Sequence, residues 1–294
     1  MADVAGGAVR LNTGFSIPLI GLGTYKLLGE QVAPAVEAAL EAGYGLFDTA
    51  NAYENEAAIG DALAKWLPRR GLTREDIFIT TKIVLPMGEY RETARARVSS
   101  SLKELRTTFL DLVLIHFPKH SARANDDPEN AIARRETYQE LEKMKEEGLI
   151  RSVGVSNYEV KHIEEISSFG KAPPAVNQVE FHPHFTREQL RAFCSAKGIF
   201  FQAFTSLARQ HPDLLEDPDL SAIASHHSKS PQQILLAWAL HCGAGIVPKS
   251  ASLSRIFSNL REVVDIKLKE EEVALLLSKN RDQNYTKCEG WKVF

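Results

Sequence analysis

Cysteine is scarce in this sequence, with three residues in 294 and no two of them close together. Cys194, Cys242 and Cys288 are too few and too scattered for a disulfide framework, and they lack the paired spacing of a zinc site. Charge of one sign is also lacking: 35 basic residues against 38 acidic ones leave a formal net charge of −3. That balance gives no electrostatic case for a nucleic-acid or membrane partner. No apolar run approaches the roughly 18 residues of a membrane span. The opening MADVAGGAVRLNTG has no basic segment ahead of an apolar core, so it does not read as a signal peptide and the cytoplasm is the expected location. His182 with His184, and His226 with His227, could be imagined as metal ligands. Neither pair has a cysteine or carboxylate at ligand spacing, so no metal is expected. No linker rich in glycine, serine or proline divides the chain, which reads as one domain over residues 1–294.

What is present has the composition of a globular protein, 44% apolar and 25% charged, patterned as strands alternating with helices. VRLNTGFSIPLI alternates around Asn12-Thr13-Gly14 and predicts a hairpin ahead of the repeating units, a lid on the barrel floor. Ile20 to Thr24 is the first strand, and Val32, Val36 and Leu40 mark the first helix. Gly45 to Asp48 is the second strand. Glu54 opens a helix that carries Ile59, Leu63, Trp66 and Leu67 and stops at Pro68. Asp76 to Lys82, Phe109 to His116, Ile150 to Val155, Ala175 to Glu180, Ile199 to Phe204 and Gly245 to Pro248 are the remaining strands. Helices fall between them: one marked by Val98, Leu102 and Leu105; one by Tyr138, Leu141 and Met144; one over Tyr158 to Phe169; and one with Leu190 and Phe193 inward. After the seventh strand a polar loop leads to a helix capped by Ser230-Pro231. Eight such units predict an α/β fold, a (β/α)8 TIM barrel with an N-terminal β-hairpin, followed by an extra C-terminal helix, Glu270 to Leu277, and a tail.

Three of these strands end on groups that can move or polarise a proton. GLFDTANAYENE puts Asp48 at a strand end and Tyr53 on the loop after it; IFITTK ends on Lys82; LDLVLIH ends on His116. The carboxyl ends of barrel strands are where catalytic groups are found. A tyrosine with a pKa near 10 needs a nearby positive charge to act at neutral pH. Lys82 can supply that charge, Asp48 can hold Lys82 protonated, and His116 can orient a substrate oxygen beside the phenol. Each residue alone has an ordinary explanation: an ion pair, an aromatic at a helix start, a satisfied histidine. The four together favour an acid–base site that protonates a carbonyl oxygen, with the attacking group unnamed.

On DTANAYENE from Asp48, TTK ending at Lys82, DLVLIH ending at His116, GVSN at Gly154, NQVE at Asn177 and VPKS at Val247, the sequence resembles the aldo-keto reductase family over nearly its whole length. The resemblance implies a catalytic tetrad of Asp48, Tyr53, Lys82 and His116 and a nicotinamide dinucleotide as hydride source. It implies that Ser156, Asn157 and Gln178 bond the nicotinamide carboxamide, with Thr24 and Asp48 lining the same site and Phe204 stacking where relatives carry tyrosine. Ser206 and Leu207 would line the pyrophosphate within TSLA, which stands where the family usually has Ser-Pro-Leu-Gly. The loop from Ala208 to about Asp217 is shorter than the belt of many relatives, implying faster cofactor exchange. Lys249, Ser250 and Arg255 match ligands of a 2′-phosphate and Asn259 an adenine contact, implying NADP(H). Ser258 replaces an acidic residue often found there.

The substrate pocket would be formed by Tyr25, Ala52, Val84, His116 and Phe117, several at positions often held by tryptophan. Such a wide apolar pocket suits aldehydes, some ketones and α-dicarbonyls, and Trp291 and Phe294 have no place assigned. The expected protein is a monomeric NADPH-dependent aldehyde reductase acting on a small carbonyl substrate. The competing readings are a catalytically idle cofactor-binding barrel with a structural or regulatory partner, and an aldolase-like barrel in which Lys82 forms a Schiff base.

Overall fold

The computed structural model describes residues 5–294; the first four, part of the segment weighed above as a leader, lie outside the described residues. The alternating opening forms the expected hairpin, β1 (Ala8–Arg10) antiparallel to β2 (Ser16–Pro18). Eight parallel strands come next: β3 (Leu22–Gly23), β4 (Leu46–Asp48), β5 (Phe78–Ile83), β6 (Leu110–Ile115), β7 (Ile150–Ser156), β8 (Val176–Glu180), β9 (Phe200–Phe204) and β10 (Gly245–Ile246). Each pairs with its sequence neighbours. The sheet closes because Ile20 bridges to Ile246 and Gly23 to Lys249, with Gly23 N–H donating to Pro248 O at 3.1 Å. The seam requires glycine there, since a Cβ on Gly23 would stand 2.3 Å from the Val247 carbonyl oxygen.

Successive strand residues face opposite sides, so parity decides the interior. Leu46, Phe78, Leu112, Leu114, Val176 and Val247 form a cluster inside the barrel, and Leu11 and Ile17 of the hairpin segment join it. The hairpin is therefore the floor. The opposite parity (Phe47, Ile79, Val113, Ile115, Val179) packs outward against the helices. Continuing the inward parity toward the carboxyl ends gives Asp48, Lys82, His116, Ser156, Gln178 and Phe204.

The outer layer comprises α1 (Val32–Ala42), α2 (Glu56–Arg69), α3 (Tyr90–Glu104), α4 (Glu129–Glu146), α5 (Val160–Ile166), α6 (Glu188–Ala196), α7 (Pro212–Leu215), α8 (Pro218–His226), α9 (Pro231–His241), α10 (Leu253–Arg261) and α11 (Glu270–Leu277). Apolar spacing buries Val32, Val36 and Leu40 on α1. On α9, Ser230 and Gln233 form a reciprocal capping box with Pro231 at the first position.

Several local expectations are corrected. Glu54 does not open α2: it takes a left-handed φ of 57° that ends a short 3-10 turn over Asn51–Tyr53, and the helix starts at Glu56. Pro68 does not stop that helix but sits in its last turn, which closes when Arg70 and Leu72 N–H both donate to Leu67 O at 3.0 Å. On α6 the fully buried partner of Leu190 is Cys194, while Phe193 is only partly buried. The polar loop after β9 holds α7 and α8, each started by a proline at its first position. The Tyr158 to Phe169 helix is shorter, over Val160–Ile166.

The tail crosses the carboxyl ends of the strands. Arg281 and Gln283 N–H donate to His184 O, both at 3.1 Å. Glu180, the last residue of β8, accepts from Tyr285 N–H at 2.5 Å, Thr286 N–H at 3.0 Å and the Thr286 hydroxyl. Farther on, a Cβ on Gly290 would stand 2.0 Å from Asn157 O, so only glycine lets the tail lie this close. Trp291 packs edge-on to Phe185 and Phe294 is 70% exposed under Lys161.

Candidate active site

Asp48, Lys82 and His116 reach one place because β4, β5 and β6 are adjacent and present the same parity upward. Lys82 Nζ donates to Asp48 Oδ1 at 2.5 Å and to Thr49 O at 3.0 Å, both residues buried. The ammonium lies 5.1 Å from the centre of the Tyr53 ring, which meets the His116 imidazole edge-on at 5.7 Å. Tyr53 and His116 are half-buried where the ion pair is fully buried. An ionised pair thus lies beneath two proton-bearing rings that face the opening.

The surroundings sort the charges. Burial pushes the Tyr53 phenol above its ordinary value, and the Lys82 ammonium pulls it partly back. Burial alone would lower Lys82, but Asp48 and then Tyr53 outweigh it and hold the ammonium above its usual range. His116 is driven down to about 3, first by burial and then by the Lys82 charge. At neutral pH the site therefore presents a protonated phenol, an ammonium and a neutral imidazole.

Gln178 is tied into the same network: its Nε2 donates to Asp48 Oδ2 at 2.7 Å and to Gln202 Oε1 at 2.8 Å. Ser156 Oγ donates to Gln178 O at 2.8 Å, and Asn157 Nδ2 donates to His116 O at 3.0 Å and to Ser156 Oγ at 3.1 Å. With these donors engaged, Gln178 Oε1 and Asn157 Oδ1 are left accepting from no protein group among the described residues. Thr24 Oγ1 donates to Asp48 O at 2.9 Å. Tyr25, 47% exposed, lies 5.1 Å from Tyr53, ring centre to ring centre; Val84 and Phe117 are half-buried and Ala52 is exposed.

The remaining expected residues form a second group. Phe204 ends β9 half-buried; Ser206 is buried and Leu207 partly so. TSLA does depart in backbone from a glycine-bearing turn: Thr205, Ala208, Arg209 and Gln210 all have positive φ, with Ala208 at 47°. Alanine thus occupies a left-handed position that the usual motif gives to glycine, at a cost of about 1 kcal/mol. Ser250 and Asn259 are buried beside the start of α10 and within it, while Lys249 and Arg255 are exposed and carry no acidic partner among the described residues. Lys249 bridges to Gly23, one residue before Thr24, which places this group against the seam next to Asp48.

Sequence reasoning missed the supports. Asn55 holds Thr24 O and Leu27 O with its amide, each at 2.9 Å, and accepts from Thr49 Oγ1 at 2.7 Å. Glu56, buried with no cation paired to it among the described residues, accepts from Thr81 at 2.5 Å and Asn51 at 2.7 Å and from Ser101. Both lie inside NAYENE, where polar residues on an inward loop were the available signal. Glu180 and Cys288 were also missed. Cys288, on the tail, lies near enough to Tyr53 to raise its pKa slightly, and no spacing connects it to a residue 235 positions earlier.

Two histidines with lowered pKa, the half-buried His116 and the buried His162, give a pH test. His116 and His162, the latter held to about 3 by burial and then Arg134, would each bind a proton near pH 6.5 in the unfolded chain. Between that value and about 3 the unfolded chain binds more protons, so stability falls as pH drops through this window. Each histidine contributes up to about 1.4 kcal/mol per pH unit. Glu56, raised mainly by burial, acts in the opposite sense, so the comparison is differential. His116→Gln is expected to have a flatter Tm-versus-pH profile than wild type; parallel profiles contradict the assignment.

A closed parallel barrel with polar, titratable groups gathered at the carboxyl ends of its strands has the architecture of a barrel enzyme. The profile of the Aldo/keto reductase family matches residues 19–281. Aldo-keto reductase family 1 member A1-A of Danio rerio is 36% identical over 297 residues, covering 94% of this chain and 90% of its own. Glyoxal reductase of Bacillus subtilis (strain 168) is 36% identical over 276 residues, covering 94% and 93%. Among solved structures, the aldose reductase from Schistosoma japonicum superposes with a TM-score of 0.85 at 36% identity, covering 95% of this chain and 93% of that one. The chain belongs to the aldo/keto reductase family, whose members are oxidoreductases of small carbonyl compounds and generally use a nicotinamide cofactor. Among the described residues no helix is long and apolar enough to cross a membrane.

Proposed function

We propose that the protein reduces aldehydes, and some ketones or α-dicarbonyls, to alcohols with NADPH, and that Tyr53 is the general acid. The observation that carries this reading is the buried Lys82–Asp48 pair at 2.5 Å beneath the Tyr53 ring. Such a pair next to a phenol serves to place positive charge where an oxyanion forms as the proton leaves.

The residues fit a nicotinamide cofactor. The free oxygens Gln178 Oε1 and Asn157 Oδ1 are the acceptors a carboxamide NH2 needs, and Phe204, at the end of the neighbouring strand β9, offers a ring face. The unpaired Lys249 and Arg255, with the buried Ser250 at the start of α10, suit a 2′-phosphate. When bound, the reduced nicotinamide supplies hydride to the carbonyl carbon. His116, neutral at working pH, donates a hydrogen bond to the carbonyl oxygen and directs it toward Tyr53. Tyr53 passes its proton to that oxygen, Lys82 stabilises the resulting phenolate, and Asp48 keeps Lys82 charged and aimed. Tyr25, Val84 and Phe117 give the substrate an apolar wall, and the exposed Ala52 leaves it wide. A Schiff-base role for Lys82 is disfavoured, because its ammonium is held by Asp48 and Thr49 O and is 1% exposed. A cytoplasmic monomer completes the proposal.

The direct experiment follows NADPH absorbance with 4-nitrobenzaldehyde. Turnover is the expected result. No turnover across a panel of aldehydes, with NADPH still bound, would return the idle-barrel reading. For the cofactor, Arg255→Ala with Lys249→Met is expected to weaken NADPH binding by roughly 10–100-fold, the value of one or two charge-assisted bonds. NADH binding should hardly change; equal losses for both cofactors would remove the 2′-phosphate assignment.

A further inference from the structure

Sequence spacing gave His226 and His227 no companion carboxylate, but the fold supplies one from 45 residues away. Glu272, in the first turn of α11, accepts from His226 Nδ1 at 3.0 Å on one oxygen and from His227 Nε2 at 2.8 Å on the other. We propose that His226, His227 and Glu272 form a binding site for a divalent transition cation of the zinc class, which clamps α8 to α11. The site lies in the outer helical layer, on elements that contribute none of the residues assigned to carbonyl reduction, so it stands independently of that reading.

The donor set is the first argument. Two imidazoles and one carboxylate, with a position left for water, suit Zn2+, Co2+ or Ni2+ and not the hard cations that require oxygen alone. The second is convergence. One ligand atom from each residue lies within 4.8 Å of the other two, whereas a tetrahedral centre with ligands at about 2.0–2.1 Å spaces them roughly 3.4 Å apart. Closing that difference takes small side-chain rotations, and His226, 53% exposed, is free to make them. Neighbouring helical residues ordinarily point apart. These two meet because His226 offers the ring nitrogen nearer its backbone and His227, at the C-cap of α8, the farther one.

The third argument is support that does not depend on a metal. Lys269 N–H donates to Glu272 Oε2 at 2.8 Å, fixing the carboxylate at the helix start. At the other end of the antiparallel pair, Lys279 binds Asp217 at 2.8 Å and Asp219 at 2.7 Å, so the helices are already aligned. His227 and Glu272 are only 16% and 13% exposed. Among the described residues no lysine or arginine pairs with Glu272, so only the imidazoles and one backbone amide are aimed at it. Binding moves each imidazole proton to its other ring nitrogen and puts the cation in its place.

The test is titration of chelator-stripped full-length protein with ZnCl2 by calorimetry and with CoCl2 by visible absorption, with Tm read in parallel. The chain has nine histidines and three cysteines, so variants must locate the site. Expected are one saturable ion per chain, a tetrahedral cobalt band, and a Tm raised by roughly 2 °C or more at saturating zinc. His226→Asn and His227→Asn should each weaken binding by about 10-fold or more, and the double variant should lose both the binding and the Tm shift. Glu272→Gln preserves the acceptor for Lys269 N–H and so the helix start, yet should also weaken binding. No saturable binding, or binding undiminished in the double histidine variant, overturns the proposal.

Discussion

Tyr53→Phe is expected to lower carbonyl turnover by about 10²–10⁴-fold, the usual worth of a positioned general acid, with NADPH affinity unchanged. The substitution removes one hydroxyl and keeps the ring, so the edge contact with His116 and the packing against Tyr25 persist. The groups that act on the phenol are chiefly Lys82 and Asp48, which remain tied to each other without it. The loss should therefore fall on kcat, not on binding or stability. Loss of NADPH absorbance with 4-nitrobenzaldehyde gives the rate, and quenching of protein fluorescence by NADPH gives the affinity. A variant retaining near-normal turnover would move the acid elsewhere, with neutral His116 the next donor.

Much of this arrangement was legible in the sequence because a parallel barrel reduces position to arithmetic. A strand residue of inward parity near a carboxyl end must reach the mouth, and Asp48, Lys82 and His116 satisfy that rule on three adjacent strands. The extra helix Glu270–Leu277 was also bounded correctly, its three leading glutamates marking the start. The illegible parts depend on side chains meeting across long separations. Gln178 reaches Asp48 from 130 positions away, Thr286 reaches Glu180 from 106, and Glu272 reaches His226 from 46. No local pattern encodes these meetings, since each requires the barrel to close first. Helix ends were missed for the opposite reason: Glu54 and Pro68 follow propensity, and tertiary packing of Ile59, Leu63 and Leu67 set the actual limits.

Breaking the Asp48–Lys82 pair one residue at a time should cost both stability and rate, and breaking it from both sides should cost only rate. Lys82→Met leaves Asp48 buried with a single remaining side-chain donor, the Gln178 amide. Asp48→Asn leaves a buried ammonium held by Thr49 O. Either uncompensated charge is expected to destabilise the fold by about 3–5 kcal/mol. The double variant Asp48→Asn, Lys82→Met has no charge to strand and should recover most of that loss, because replacing a buried pair by neutral groups of similar volume is near neutral. Its turnover should nonetheless stay at or below the level of Tyr53→Phe, since the phenolate has no cation beside it. Denaturant unfolding and aldehyde turnover, measured on the three variants together, separate the two roles. If activity returns along with stability in the double variant, the pair is only a structural ion pair in the barrel. If stability returns alone, the charge on Lys82 serves the chemistry, and the fold tolerates the cost of burying it because Asp48 and the Thr49 carbonyl accept from the ammonium.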